Sequence, residues 1–292
     1  MVLEFTNTPI TFVYHANCND GLSALGVGLY YIKKQLKRTD YSVIEGHYQV
    51  AISLDDFTGR NVIMLDFCYP RAVIEQILSV ADSVTIIDHH ISVFEDLKGL
   101  NHPALRYIYD VNRCGATLAW RCFFRETDTP LFLTYIEDRD LWRKQYVESE
   151  YQSLALRAKQ LTADEFTGLV FDIIDEWLHA DEQITHNRLV MTGQQYADYH
   201  HVLVNHIAAS AYPSELENGV KVMKCNAPLA FASDLGDCLN KIFGVTVIYE
   251  QAKDCTKYSL RVANDCDFDG SAYAKSKGGG GHKKASGWRD FS

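Results

Sequence analysis

The apolar positions of this chain follow two rhythms. Short, nearly unbroken apolar runs alternate with stretches in which apolar residues recur every three or four positions. "ITFVYH" (10–15), "NVIMLDF" (61–67) and "SVTIIDHH" (83–90) are the runs, and their β-branched and aromatic content predicts three buried strands. After the turn at Asp20-Gly21, Leu25, Leu29, Ile32 and Leu36 fall on one helical face. A second helix, opened by Pro70, buries Ile74, Ile77, Leu78 and Ala81. Unbroken apolar strands separated by amphipathic helices predict a parallel sheet covered on both faces, an α/β fold.

The rhythm changes in the second half. Residues 163–208 read as helical and largely polar, and "AYPSELENG" (211–219) breaks that pattern. "VKVMKCN", "VTVIYEQ" and "YSLRVAN" then predict three short alternating strands, with a helix over "SDLGDCLNKIF" between the first two. The reading is a large parallel-sheet domain over 1–180, a helical linker over 181–212 and a smaller α/β domain over 213–292. The chain is long enough for two such domains.

Composition narrows the class without choosing a chemistry. The chain is 47% hydrophobic and 23% charged, the balance of a globular protein with a proper core. Its net charge of −10 argues against a protein that coats nucleic acid nonspecifically, but leaves room for a small anionic substrate held by metals or a few bases. The eight cysteines are scattered with no CxxC pair, and no secretory pattern opens the chain, so reduced thiols and a cytoplasmic location are expected. The longest uncharged run, "HHVLVNHIAASAYPS", is too short and too polar to span a membrane.

The candidate chemistry lies at the strand ends, where ligands bind in sheets of this kind. The first strand delivers His15, Cys18 and Asp20, the second Asp66, and the third Asp88, His89 and His90. "LTYIEDRDLWRK" adds Glu137, Asp138 and Asp140. So many carboxylates on one edge would repel one another unless a cation lay among them. Mixed aspartate and imidazole suit Mn²⁺, with Mg²⁺ or Co²⁺ as alternatives, better than a zinc site, which favours sulfur and imidazole.

"HANCNDG", "MLDF", "DHH" and "EDRDLW" resemble, in order, the four motifs of the DHH phosphoesterase superfamily. "SLRVAN" and "GGGGHKKASG" resemble its C-terminal DHH-associated domain of the first subtype, found in nano-RNases, single-strand exonucleases and cyclic-dinucleotide phosphodiesterases. The resemblance implies one metal held by Asp20, Asp66, His89 and Asp138, and a second held by His15 and Asp66, with Asp66 bridging. Asp138 is favoured over Asp140 because the family's aspartate precedes a small or polar residue at a helix end, and Asp140 is read as capping the segment that follows or supporting the shell around the site. His90 is read as orienting a ligand or touching a phosphate oxygen. The chain departs from the pattern at Cys18, which stands where the commoner motif has its first aspartate. Two readings of it remain, a thiolate ligand and a small buried residue in the turn.

The implied activity is metal-dependent phosphodiester hydrolysis on short oligonucleotides, with two Mn²⁺ ions at the centre. A cyclic dinucleotide is the next substrate, and a non-catalytic nucleotide-binding protein is the alternative from another class. Arg261, Gly280, Gly281, His282 and Lys283 read as a phosphate clamp, because glycines let backbone amides approach an anion and the bases add charge. Tyr14, Trp120, Trp142 and Trp288 are candidates for stacking on bases. No membrane partner is expected. A homodimer is one possible state.

Overall fold

The computed structural model describes residues 7–16, 18–47, 50–125, 127–180 and 183–291. The chain divides into two compact units, 1–197 and 198–292.

The first unit is built on five parallel strands, β1 (Ile10–His15), β2 (Tyr41–Gly46), β3 (Asn61–Leu65), β4 (Ser83–Asp88) and β5 (Leu105–Tyr109), in the order β2-β1-β3-β4-β5. The three strands expected from the apolar runs are thus the three central ones. The two edge strands were not anticipated, and the reason is physical. β2 and β5 are largely half-buried, so they carry no continuous apolar run. In the central strands alternate residues serve opposite faces. Ile10, Phe12, Ile63, Leu65 and Ile87 pack into one core, while Val13, Val62, Met64, Val84 and Ile86 pack into the other.

The second of these cores is completed by α2 (Arg71–Leu78), which begins after Pro70, and α3 (Ile91–Leu97). The first core is closed by α1 (Asn19–Tyr30), α4 (Gly115–Phe123), α5 (Leu131–Asp140), α6 (Val147–Lys159) and α7 (Ala163–His179). The helical face predicted through Leu36 is regular only to Tyr30 and continues as a wider π-type turn over Tyr31–Gln35. α7 opens with a capping box in which Thr162 and Glu165 exchange hydrogen bonds. Its apolar side, Phe166, Val170, Ile173 and Ile174, is buried, so this stretch belongs to the core. The connector is α8 (Ile184–Ala208), which runs across the division between the units.

The second unit is a six-stranded mixed sheet in the order β10-β11-β9-β8-β7-β6. It comprises β6 (Tyr212–Glu215), β7 (Lys221–Asn226), α9 (Ala232–Phe243), β8 (Val245–Gln251), β9 (Thr256–Val262), α10 (Gly270–Ser276), β10 (Gly280–Gly281) and β11 (Ala285–Asp290). Only the β7–β8 pair is parallel, and α9 connects it. The chain is therefore α/β, with a parallel-sheet domain and a second, smaller α/β domain. Among the described residues no helix is long and apolar enough to cross a membrane.

Gly193 of α8 touches α6 so closely that a Cβ there would lie 1.6 Å from the Tyr151 carbonyl oxygen. Gly→Ala inside a helix ordinarily gains about 1 kcal/mol. Here the backbone clash reverses the sign, and Gly193→Ala should cost about 1–3 kcal/mol. A urea midpoint that falls with an unchanged m-value verifies this, whereas a higher midpoint refutes the contact.

Candidate metal centre

Asp66 follows the last residue of β3 and has φ 55°, a left-handed conformation that costs most side chains energy but that aspartate tolerates. Its amide still donates to the Ile87 carbonyl, so the strand pairing fixes where the carboxylate emerges. The Asp66 side chain is buried, and two imidazoles approach it from different strands. His15 Nδ1 is 3.4 Å from one oxygen and His89 Nε2 is 3.2 Å from the other. His89 Nε2 also lies 3.7 Å from Asp20 and 3.5 Å from Asp140.

Asp20 is placed from outside the strand ends. Its two oxygens accept the amides of Gly115 and Ala116 at 2.6 and 2.7 Å, at the N-terminus of α4, where the helix dipole favours a negative charge. Only glycine permits this approach. A Cβ on residue 115 would fall 2.4 Å from Asp66 Cβ and 3.0 Å from Asp20 Oδ2. Glu137 in turn fastens the start of α4. It accepts the Cys114 amide and the Thr117 hydroxyl, and is itself compensated by Arg113 and Arg143. Gly115, Ala116 and Glu137 were not identified as supports of the site. The one local signal was a polar turn, "DVNRCG", running straight into a helix of small residues.

Among the described residues, three groups of side chains bring their donor atoms within 4.8 Å of one another: Asp66, Asp88, His89 and His90; His15, Cys18 and Asp66; and Asp20, His89 and Asp140. Asp66 belongs to two groups and His89 to two. Asp88 Oδ1 accepts the amides of His89 and His90 and the ring Nδ1 of His90, the last at 2.6 Å, which sets the His90 ring. Asp88 Oδ2 is buried without a hydrogen-bond partner. Shared carboxylates, converging imidazoles and an unsatisfied buried oxygen fit divalent cations held between strand ends.

Of the expected ligands, His15, Cys18, Asp20, Asp66 and His89 converge. Asp138 does not join them, and of the two acids it is Asp140 that lies in the cluster. Asp138 accepts the Gln145 amide at 2.8 Å, the Tyr146 amide and the Ser149 hydroxyl at 2.6 Å, so it fastens the loop entering α6. Asp140 reaches His89 instead. Residues two apart on a helix point roughly 200° away from each other, so α5 can offer only one of the pair to the cluster. The family pattern favoured Asp138, whereas the structure brings Asp140 within reach of His89.

The electrostatics follow from burying these groups together. Burial opposes a charge on His89, but Asp66, Asp140 and Asp20 outweigh it and push its pKa up to about 10. Burial also opposes ionisation of Asp66, yet His15 and His89 hold its carboxyl below the usual range. Burial, with Asp66 and Asp140 alongside, raises Asp20. Burial, with Asp66 next, pushes Asp140 up to about 6, although its side chain keeps 26% of its surface. Cys18, which precedes α1, is pushed up by burial and by the same carboxylates, and the metal-free thiol is neutral.

In the second unit, Arg261 lies on β9 opposite Ala285, the first residue of β11, so it shares one end of the sheet with the turn that carries His282 and Lys283. Gly280 and Gly281 pair with Gly287 and Ser286 as β10, and His282 and Ala285 exchange backbone hydrogen bonds that close the turn. His282 and Lys283 are exposed. The Arg261 guanidinium reaches Ser233 and the Leu260 carbonyl only at 3.4 Å, its Nε has no partner, and burial lowers its pKa to about 10. Lys284 is spent on the Ala263 and Cys266 carbonyls.

No family model matches the sequence. A relative from Acanthamoeba polyphaga mimivirus, the uncharacterized protein R106, is 29% identical over 293 residues, and the match covers 94% of this chain. The chain spans 66% of that protein's length. Among solved structures, the DHH domain of a member of the s1p family of ribosomal proteins superposes with a TM-score of 0.56 at 14% identity, covering 97% of this chain and 83% of that one. A manganese-bound exonuclease RecJ superposes with a TM-score of 0.51 at 13% identity, covering 98% and 86%. At such identities the likeness is one of architecture: the chain has the fold of DHH-domain proteins.

Two measurements test the centre. Mn²⁺ should raise the melting temperature of the parent, and Asp66→Asn and Asp140→Asn should remove most of that shift. Asp138→Asn should lower the metal-free melting temperature while keeping the shift. Equal metal responses in Asp138→Asn and Asp140→Asn would reject the reassignment. The second test is pH. His89 has a folded pKa above its unfolded value, so its contribution to metal-free stability is complete below roughly pH 6.5 and is lost as pH rises through about 10. A cation needs the neutral ring, so Mn²⁺ affinity should climb across that window with release of a proton. Titration calorimetry in two buffers of different ionisation enthalpy reads the release, and identical heats would contradict it.

Proposed function

We propose that this chain is a metal-dependent phosphodiester hydrolase acting on short oligonucleotides. The observation that carries the reading is the position of Asp66, shared between two groups of converging donors, which matches the need of a two-cation centre for a bridging carboxylate. Mn²⁺ is the preferred ion on the donor chemistry, and the architectural likeness to manganese-bound RecJ supports it. The residues that would hold ions are Asp20, Asp66, His89 and Asp140, with His15 and Cys18 on the other side of Asp66. When bound, divalent ions supply Lewis acidity at the phosphoryl oxygens and lower the pKa of water.

The chain's own residues do the remaining work. α4 fixes both oxygens of Asp20 through two amides. Asp88 orients His90 so that the ring faces the cluster edge and can meet a phosphate oxygen. Arg261 and the turn carrying Gly280, Gly281, His282 and Lys283 are assigned to holding a phosphate. Arg261 suits this because its buried guanidinium has only long contacts and therefore gains from an anion.

Incubating the protein with Mn²⁺ and a panel of dinucleotides, longer oligomers, cyclic dinucleotides and pyrophosphate, then separating the products, tests the substrate class. Dinucleotides should be consumed fastest. Exclusive cleavage of pyrophosphate would overturn the reading, and no turnover with tight nucleotide binding would favour a non-catalytic binding protein. His282→Ala should raise KM for a dinucleotide roughly tenfold or more, as loss of a charge-assisted contact of about 1.5–3 kcal/mol implies. Its Mn²⁺ response should stay normal. His89→Ala should lose both the metal response and nearly all turnover. Parental KM and kcat in His282→Ala would remove the clamp.

A further inference from the structure

Two residues past Asp140 the chain does something costly. Trp142 and Lys144 both have positive φ, 53° and 56°, with neither glycine nor asparagine to ease it. A bulky side chain in that region is a true outlier, and such strain persists only where surrounding contacts enforce it. They are visible here. Asp138 takes the amides of Gln145 and Tyr146, while Arg143 is held by Glu137 and by the Asn112 carbonyl. Two buried acids thus pin a strained loop whose preceding residue, Asp140, points into the metal centre.

The loop displays an aromatic ring with cations on it. The Arg139 guanidinium carbon is 4.1 Å from the centre of the Trp142 ring, and Lys144 Nζ is 4.8 Å from it. Packing does not account for this tryptophan. Among the described residues, Trp120 and Trp177 belong to the core of the first unit and Trp288 to a core of the second, whereas Trp142 belongs to none of the four apolar clusters. The other stacking candidates are occupied. Tyr14 and Trp120 are buried, and Trp288 lies parallel to Tyr258 at 4.8 Å with Tyr273 against its edge. One partly exposed indole, with two cations against its ring, therefore stands two residues from Asp140 in a chain whose net charge is −10.

We propose that the loop 139–144 reads the nucleoside at the metal centre: Trp142 stacks on a base, and Arg139 and Lys144 take the phosphate attached to it. The assignment rests on the phosphodiesterase reading above and adds the side chains that select a nucleotide over a bare phosphate ester. A base and a guanidinium are both flat and bind the same aromatic face, so the incoming nucleotide exchanges one for the other and draws the cations to its phosphate. The strain holds the ring in place before substrate arrives, so less ordering is left for binding.

The test combines binding and kinetics. AMP, titrated into the protein, should quench its tryptophan fluorescence saturably, and Trp142→Phe should lose most of that quench while keeping dinucleotide KM within about twofold. Trp142→Ala should raise dinucleotide KM about tenfold, leave p-nitrophenyl ester cleavage unchanged and retain the Mn²⁺-induced melting shift. If Trp142→Ala does not fold, Arg139→Gln with Lys144→Gln carries the kinetic arm and should raise the dinucleotide KM while sparing p-nitrophenyl ester cleavage. If the parent cleaves dinucleotides and these variants keep its KM, or if Trp142→Phe quenches like the parent, the loop assignment is overturned and the hydrolase reading stands. If AMP quenching depends on Trp142 but no phosphodiester is cleaved, the loop assignment stands and the hydrolase reading falls.

Discussion

The structure of the first unit is organised around one difficulty, the burial of several carboxylates within a few ångströms of one another. Asp66, Asp20 and Asp88 are almost fully buried, and Asp140 is close beside them. In a low-dielectric setting such a group is stable only with opposite charge, oriented dipoles or protons to balance it. The chain uses all three. Imidazoles approach Asp66, the start of α4 faces Asp20, and backbone amides converge on Asp88. A divalent cation would replace the protons on His89, Cys18 and the raised carboxylates, and so the same arrangement that strains the metal-free chain favours metal.

Much of the surrounding architecture exists to keep these balances in register. Gly115 lets α4 come within contact of Asp66, Glu137 holds the start of that helix, and Arg113 and Arg143 keep Glu137 from becoming one more unpaired buried charge. The acids of "EDRD" therefore divide three tasks. Glu137 fastens a helix, Asp138 a loop, and Asp140 faces the centre. The division follows from helical geometry, since neighbouring positions on α5 look toward different parts of the fold.

The second unit follows a different logic. Its sheet is mixed, and glycines let neighbouring elements approach closely. A Cβ on Gly236 of α9 would meet Arg261 Cβ at 2.5 Å, so the helix lies directly on the stem of that arginine. Its guanidinium is left with long contacts at the end of the sheet where the His282–Lys283 turn emerges. Side chains held this way keep free capacity for an anion, the property sought in a residue that grips phosphate.

The sequence by itself determined the α/β class, the three central strands and the convergence of His15, Cys18, Asp20, Asp66, Asp88, His89 and His90. All of these depend on local pattern: a continuous apolar run marks a strand buried on both faces, and polar residues after such a run must emerge at the sheet's edge. Tertiary structure decided the rest. The edge strands β2 and β5 are half-buried and leave no run to read, and β10 and β11 are hidden in a glycine-rich stretch that looks like loop. Asp138 and Asp140 are chemically identical and two residues apart, so only the direction of α5 within the fold separates a loop fastener from a carboxylate that faces His89. Gly115 and Glu137 gain their roles from partners 49 or more and 20 or more residues away, respectively (Asp66 and Asp20; Cys114 and Thr117). A contact between distant segments leaves no periodicity in the chain, and it becomes visible only once the sheet has brought those segments together.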